Sequence, residues 1–216
     1  MDCTIKAIYE KYPKEAISGL PQVTFDGRVF VITTVAEADR AVDYLMSLPA
    51  LGFDTETRPS FVRGQHHKVA LMQVSSVDTA FLFRLNSIGL TPSLRRLLED
   101  RTILKIGLSI HDDLRSLQQL GKFHAGTFTD IQDEVRLLGI QDQSLQKIYA
   151  NIMGGKISKK QQLSNWEADI LSDAQKAYAC IDAWACVRLY EEIHRLHDSG
   201  RYHLIPAPET EPEAHD

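Results

Sequence analysis

The segment Leu51-Gly52-Phe53-Asp54-Thr55-Glu56-Thr57 opens apolar and closes on two carboxylates one residue apart. It reads as a strand over Leu51–Glu56 that starts out buried. In an extended chain residues i and i+2 point to one face, so Asp54 and Glu56 stand side by side at the strand's end. Two carboxylates that close repel by about 4 kcal/mol at an effective dielectric of ~20. The fold must therefore supply a raised pKa, a basic partner or a bound cation. For the pair in isolation, a solvated strand end is the simpler account.

The rest of the chain supplies the setting for that strand. Val29–Ile32 reads as a strand, and Thr34 caps a helix from Ala36 to Leu48. After a polar loop from Arg58 to His67, Val69–Ser75 and Ala80–Phe83 form a hairpin. A helix over Leu94–Leu98, a strand over Thr102–Leu108 and a helix over His111–Leu120 follow, then a short strand or turn at Gly126–Asp130. Beyond it the pattern is helical: Ile131–Leu138, Ser144–Met153 and the longest, Ser172–His197. A hairpin followed by alternating strands and helices indicates an α/β domain with a mixed sheet. Residues 1–27 read as an N-terminal extension with a short helix from Ile5 to Ile17. Residues 201–216, acidic and proline-bearing from Pro206 onward, have the composition of a disordered tail.

Bulk properties narrow the function. The 216 residues are 44% hydrophobic and 25% charged, with no apolar run near the ~20 residues that cross a bilayer. Met1–Lys6 lacks the basic-then-apolar layout of a secretory signal, so a cytoplasmic location is expected. A formal charge of −5 argues against a protein that coats nucleic acid nonspecifically, though not against an enzyme that grips it locally. Of the three cysteines, Cys180 and Cys186 fall in one helical segment and read as inert buried thiols. Cys3 lies near the N-terminus, and no C-x-x-C spacing suggests zinc or redox chemistry.

Three further features bear on chemistry. In Lys105-Ile106-Gly107-Leu108-Ser109-Ile110-His111-Asp112-Asp113-Leu114 a buried strand runs into a helix whose first turn holds two acids. One of them can cap the helix while the other faces a site. In Tyr178-Ala179-Cys180-Ile181-Asp182-Ala183-Trp184, Tyr178 and Asp182 are four residues apart and share a helix face. A carboxylate in so apolar a stretch needs a partner. Lys156-Ile157-Ser158-Lys159-Lys160 is a basic cluster suited either to phosphate contact or to solvent, just before Leu163-Ser164-Asn165-Trp166.

In this order the motifs resemble the DEDD superfamily of 3′–5′ exonucleases. The match is to its tyrosine-containing branch, nearest the Werner-syndrome-type domains, with ribonuclease D as a near relative. The resemblance runs from about Val29 to His197. It rests on Phe53–Thr57, Lys105–Gly107 through Asp113, Ser164–Trp166 and Tyr178–Trp184. It implies a ribonuclease H-like mixed sheet flanked by helices, with the exonuclease domain spanning residues 28–200. It also implies four metal-binding carboxylates, Asp54, Glu56, Asp113 and Asp182, with Tyr178 as a fifth catalytic residue. Counting from Lys105-Ile106-Gly107 selects Asp113 over Asp112, although Ser109–Asp112 departs from the residues relatives often carry.

Oxygen ligands of this kind suit two Mg²⁺ or Mn²⁺ ions. The implied activity is release of nucleoside 5′-monophosphates from a 3′ end. In that scheme Asp54 serves both ions, Glu56 and Asp182 complete the site of the attacking water, Asp113 supports the leaving side, and Tyr178 orients the water. Thr55, Thr57, Arg58 and Trp166 are expected to contact nucleic acid, with Arg63, Lys68, Lys105 and Phe61 as further candidates. About 20 residues follow His197, where a ribonuclease D usually continues into further helical domains, which favours DNA over structured RNA. The rivals of another class are a haloacid-dehalogenase-type phosphatase, whose Asp-x-Asp-x-Thr pattern Leu51–Thr57 nearly matches, and a non-catalytic nucleic-acid-binding module.

Overall fold

The computed structural model describes residues 5–208. Strand β2 (Arg28–Ile32) leads into helix α1 (Val35–Leu45), then come β3 (Ala50–Thr57), β4 (Val69–Ser75) and β5 (Thr79–Arg84). The expected Thr34 cap is present as a full capping box. Thr34 Oγ1 accepts from the Glu37 backbone N–H, and the Glu37 carboxylate accepts from that of Thr34. Helix α1 ends at Leu45, three residues short of the expected Leu48, because the chain must turn at Met46–Pro49 to enter β3. After β5 come the one-turn α2 (Leu85–Ile88), α3 (Pro92–Glu99), β6 (Leu104–Gly107), α4 (Ile110–Gln118) and β7 (Phe128–Asp130). The run expected as one helix over Ile131–Leu138 is α5 (Ile131–Glu134) followed by a 3₁₀ turn, Val135–Leu138. Then α6 (Leu145–Met153) and the 27-residue α7 (Asp173–Ser199) complete the helices.

Six strands form one sheet in the order β2-β5-β4-β3-β6-β7. Only β4 runs against the others, being antiparallel to both β3 and β5, so the sheet is mixed as expected. Strand alternation sorts the side chains into two layers. Leu51, Phe53, Met72, Val74, Phe81 and Phe83 pack against α1, α3 and α4. On the opposite face, Leu71 and Leu82 pack against Ala179 and Cys180 of α7. Burying a Leu- or Phe-sized side chain contributes about 1.5–3 kcal/mol, so the two layers fix which face each β3 residue presents.

The ends differ from the sequence reading. Residues 6–9, within the expected helix Ile5–Ile17, form strand β1 (Lys6–Tyr9), and Lys14–Gly19 is a 3₁₀ helix. Strand β1 pairs in parallel with β8 (Tyr202–Ile205), which lies within the tail expected to lack order. Its other edge is closed by Asn151, whose side chain accepts from Tyr9 N–H at 2.9 Å and donates to Tyr9 C=O at 2.7 Å. Ile8 is thereby buried and the Lys6 ammonium sits 2.6 Å from Glu192. A pairing across nearly the whole chain leaves no local periodicity to read. Cys3 and residues 209–216 lie outside the described residues.

Candidate active site

The site is assembled where β3 ends, β6 passes into α4, and α7 crosses the sheet. Gly52, Asp54 and Glu56 alternate onto the α7 face of β3. A Cβ at Gly52 would lie 1.9 Å from the Ala183 carbonyl oxygen, so only glycine lets α7 come this close. That approach brings Asp182, the residue before Ala183, against the β3 acids. Oxygens of Asp54, Glu56 and Asp182 lie within 4.8 Å of one another. A bulge between Glu56 and Thr57 ends the regular pairing directly beyond the second acid.

The third element resolves the two acids of α4. Ser109, at the start of that helix, has φ 60° and ψ 35°, the one non-glycine residue with positive φ among those described. A left-handed residue costs about 1–2 kcal/mol; here the Ser109 hydroxyl accepts from Gln132 Nε2 at 3.0 Å. Asp130 supplies the helix start instead, accepting from Ile110 N–H at 3.0 Å. Asp112 then points to solvent, with its side chain 84% exposed. Asp113 points inward and accepts from Thr55 Oγ1 at 2.5 Å.

The electrostatics follow from burial and like charge. The Asp54 carboxyl is driven well above its usual range, first by burial and then by the charges of Asp113, Asp182 and Glu56. Burial, then Asp182 and Asp113, push Glu56 to about 9. Asp113 rises to about 7 through burial, with Asp112 and Asp130 adding to it and the Thr55 hydrogen bond opposing. Asp182 also rises to about 7, with burial opposed by the Tyr178 hydroxyl and the Lys159 charge. Tyr178 is raised far above the usual phenol range by burial and the nearby carboxylates, so at neutral pH it stays a neutral hydroxyl. Among the described residues none of these four acids forms an ion pair. A cluster of oxygen donors with so little compensating positive charge fits hard divalent cations.

A cavity of about 370 Å³ opens above the acids. Thr55, Tyr178 and Leu108 line it, facing a wall of Gln143, Ser144, Gln146, Ser158, Lys159 and Gln162. Lys159 is the one basic residue of this lining among the described residues. In the sequence Lys159 stands only as one member of the basic cluster Lys156–Lys160, and the uncharged residues beside it in this wall carry no signal of a site.

Two expected nucleic-acid contacts are corrected. Trp166 is 0% exposed, with its ring 6.0 Å from that of Tyr178 and packed beneath α7. Its large apolar surface is covered by the core, leaving no exposed face on which a base could stack. Lys105 is 1% exposed, its ammonium donating to the Asp100 carbonyl at 2.5 Å and lying 4.9 Å from the Phe128 ring centroid. Arg58 is exposed but engaged, 3.2 Å from Glu167, whose carboxylate also accepts from His67 Nδ1 at 2.9 Å. Thr57 is half-buried at the strand end, Arg63 and Lys68 are exposed, and Phe61 is 84% exposed on the β3–β4 loop.

Comparison with known proteins agrees with this geometry. A profile of the 3′–5′ exonuclease family matches residues 29–197. DNA polymerase I of Aquifex aeolicus (strain VF5) is 32% identical over 157 residues, covering 73% of this chain and 26% of the polymerase. The bifunctional 3′–5′ exonuclease/ATP-dependent helicase WRN of Mus musculus is 29% identical over 157 residues, 70% of this chain and 11% of that protein. The chain therefore spans about a quarter of the first and about a tenth of the second. Among solved structures, Escherichia coli RNase D, an exoribonuclease involved in structured RNA processing, superposes with a TM-score of 0.72 at 19% identity. The superposition covers 80% of this chain and 46% of that one. The sheet and its flanking helices are thus of the ribonuclease H-like type. With the family profile spanning every strand and helix that builds the acidic site, the chain belongs to the 3′–5′ exonuclease family.

Proposed function

We propose that this chain hydrolyses phosphodiester bonds from the 3′ end of nucleic acid, DNA in preference to RNA, and releases nucleoside 5′-monophosphates. The observation that carries the reading is the convergence of Asp54, Glu56 and Asp182 oxygens within 4.8 Å, with Asp113 acting on Asp54 from the α4 side. Asp54, Glu56, Asp113 and Asp182 would hold two Mg²⁺ or Mn²⁺ ions. Cations bound there supply Lewis-acid stabilisation of the charge that develops on the attacking, phosphoryl and leaving oxygens.

The chain's own groups do the positioning. Asp54 feels the charges of Asp113, Asp182 and Glu56 and would be the acid that serves both ions. Thr55 holds the Asp113 carboxylate in one orientation by its 2.5 Å hydrogen bond. Tyr178, neutral at working pH, orients the attacking water by hydrogen bond and does not remove its proton. Lys159 faces Asp182 across the cleft, where a phosphate oxygen would meet its charge.

The preference for DNA is supported by one of the relatives, a DNA polymerase. One observation favours RNA instead. The neutral wall of Gln143, Ser144, Ser158 and Gln162 offers hydroxyl and amide groups of the kind that recognise a ribose 2′-OH. Incubating the purified protein and Mg²⁺ or Mn²⁺ with 5′-labelled DNA and RNA of matched sequence separates the two. A metal-dependent ladder shortening from the 3′ end, lost in Asp54→Ala, is expected. No ladder on either substrate, or one that survives that substitution, overturns the proposal. Tyr178→Phe should slow cleavage while metal binding persists.

A further inference from the structure

Gln73 lies in the middle of β4, directly opposite Asp54 in the β3–β4 register. Opposed residues of an antiparallel pair point to one face with Cβ atoms about 4.5–5.5 Å apart. The Gln73 side chain therefore shares with Asp54 the face that α7 covers. It is 0% exposed, and neither its Nε2 nor its Oε1 has a hydrogen-bond partner. An orphaned buried polar group costs about 1–3 kcal/mol, a penalty that methionine or leucine would avoid at this position.

The surroundings leave few uses for this amide. Its opposite neighbour on β5 is Leu82. Two residues away along β4 are Leu71, which is apolar, and Ser75, whose hydroxyl already donates to Ser76 C=O at 2.7 Å. The helix above contributes Ala179 and Cys180 to the adjoining apolar cluster. The charged group in register is Asp54. That acid also differs from two of its partners in the site: Thr55 donates to Asp113 and Tyr178 faces Asp182, yet no side chain donates to Asp54 among the described residues.

We propose that Gln73 is a positioning residue for Asp54, its amide N–H donating to the Asp54 carboxylate and holding it in the orientation that a bound cation requires. The amide is unpaired in the structure, so the bond across the strand pair requires a rotation about the Gln73 side-chain torsions. Carboxylates that ligate metals are themselves held by hydrogen bonds, and loss of such a partner typically weakens metal binding 10–100-fold. The proposal rests on the reading of Asp54 as a metal-binding residue, and the test separates the two.

The test compares wild type, Gln73→Met, Gln73→Leu and Asp54→Asn. Thermal midpoints are measured in EDTA and across a Mn²⁺ titration, and kcat and KM on a labelled single-stranded oligonucleotide. Gln73→Met should remain folded in EDTA, because it replaces a buried amide by an apolar side chain of similar length. Any hydrogen bond to Asp54 that is lost with the amide is offset by loss of the orphaned Oε1, so the EDTA midpoint is expected to stay close to wild type. Mn²⁺ should bind about 10-fold or more weakly, and kcat should fall with KM unchanged. Gln73→Leu should behave alike, and if either variant is less stable, Mn²⁺ affinity measured below its midpoint still decides. Wild-type Mn²⁺ affinity and kcat in both variants would overturn the role of Gln73 while leaving the metal site standing, with Asp54→Asn expected to abolish the Mn²⁺ response. No Mn²⁺ response in the wild type would overturn the metal site and the role of Gln73 with it.

Discussion

Glu56→Gln should make the metal-free protein more stable at neutral and alkaline pH while destroying its activity. Glu56 is 9% exposed, and burial with the Asp182 and Asp113 charges raises its carboxyl from 4.5 to about 9. A carboxyl whose folded-state pKa is raised binds its proton more tightly folded than unfolded. Its contribution to stability is therefore complete below pH 4.5 and is lost progressively as pH rises toward 9. Each pH unit in that window costs about 1.4 kcal/mol, so by pH 7.5 the metal-free wild type has given up about 4 kcal/mol at this one residue. Glutamine has the same shape and no proton to lose.

For a domain near 200 residues, 1 kcal/mol shifts the midpoint by about 2–4 °C. The variant should thus melt about 8–16 °C above wild type in EDTA at pH 7.5, and level with it at pH 4.5. Comparing the two proteins at each pH cancels the titrating groups that do not interact with Glu56, leaving Glu56 and the acids whose charges act on it. Differential scanning fluorimetry across pH 4.5–9, with EDTA and again with saturating Mg²⁺, reads the effect directly. With Mg²⁺ the gain should shrink or reverse, because a bound cation stabilises the wild type by about 2.7 kcal/mol at 100 times its Kd. A gain that does not change with pH would assign the effect to packing, and a loss at pH 7.5 in EDTA would refute the electrostatic account of the site.

The remaining expectations concern how the site is built. Gly52→Ala places a methyl 1.9 Å from the Ala183 carbonyl oxygen, so α7 must shift. A loss of about 1–3 kcal/mol in chemical denaturation should accompany weaker Mn²⁺ binding, and unchanged binding would show that Asp182 is not positioned by this contact. Asp113→Asn should abolish cleavage, whereas Asp112→Asn, altering an acid 84% exposed, should stay within about 0.5 kcal/mol of wild type in stability and keep its kcat. Reversal of that order would overturn the choice between the two acids. Trp166→Phe should leave KM for a single-stranded oligonucleotide unchanged, because the indole is buried under α7. A several-fold rise in KM would restore it as a substrate contact.

The elements on which the site depends were legible because their signals are local. An apolar run ending in Asp54 and Glu56, two acids in the first turn of α4, and Tyr178 four residues before Asp182 each fix a face by backbone period alone. Their order along the chain pointed to the family. Side-chain destiny was less legible. Trp166 and Lys105 have residue types that suit nucleic acid, and their burial depends on α7 and on the Asp100 carbonyl respectively. Strand β1 has no local strand signal and reads as helix, because its partner, β8, lies at the other end of the chain.

The sequence by itself determined the acids, their order and the alternation of strands and helices that carries them, since these follow from periodicity and residue chemistry. Tertiary structure alone decided that Asp113 and not Asp112 turns inward, through the left-handed Ser109 and the Asp130 cap. It alone decided that three acids meet within 4.8 Å, because only packing α7 onto Gly52 brings a helix residue against a strand more than a hundred positions away. Proximity between distant segments is a property of the packed chain, and so is the repulsion that prepares this site for cations.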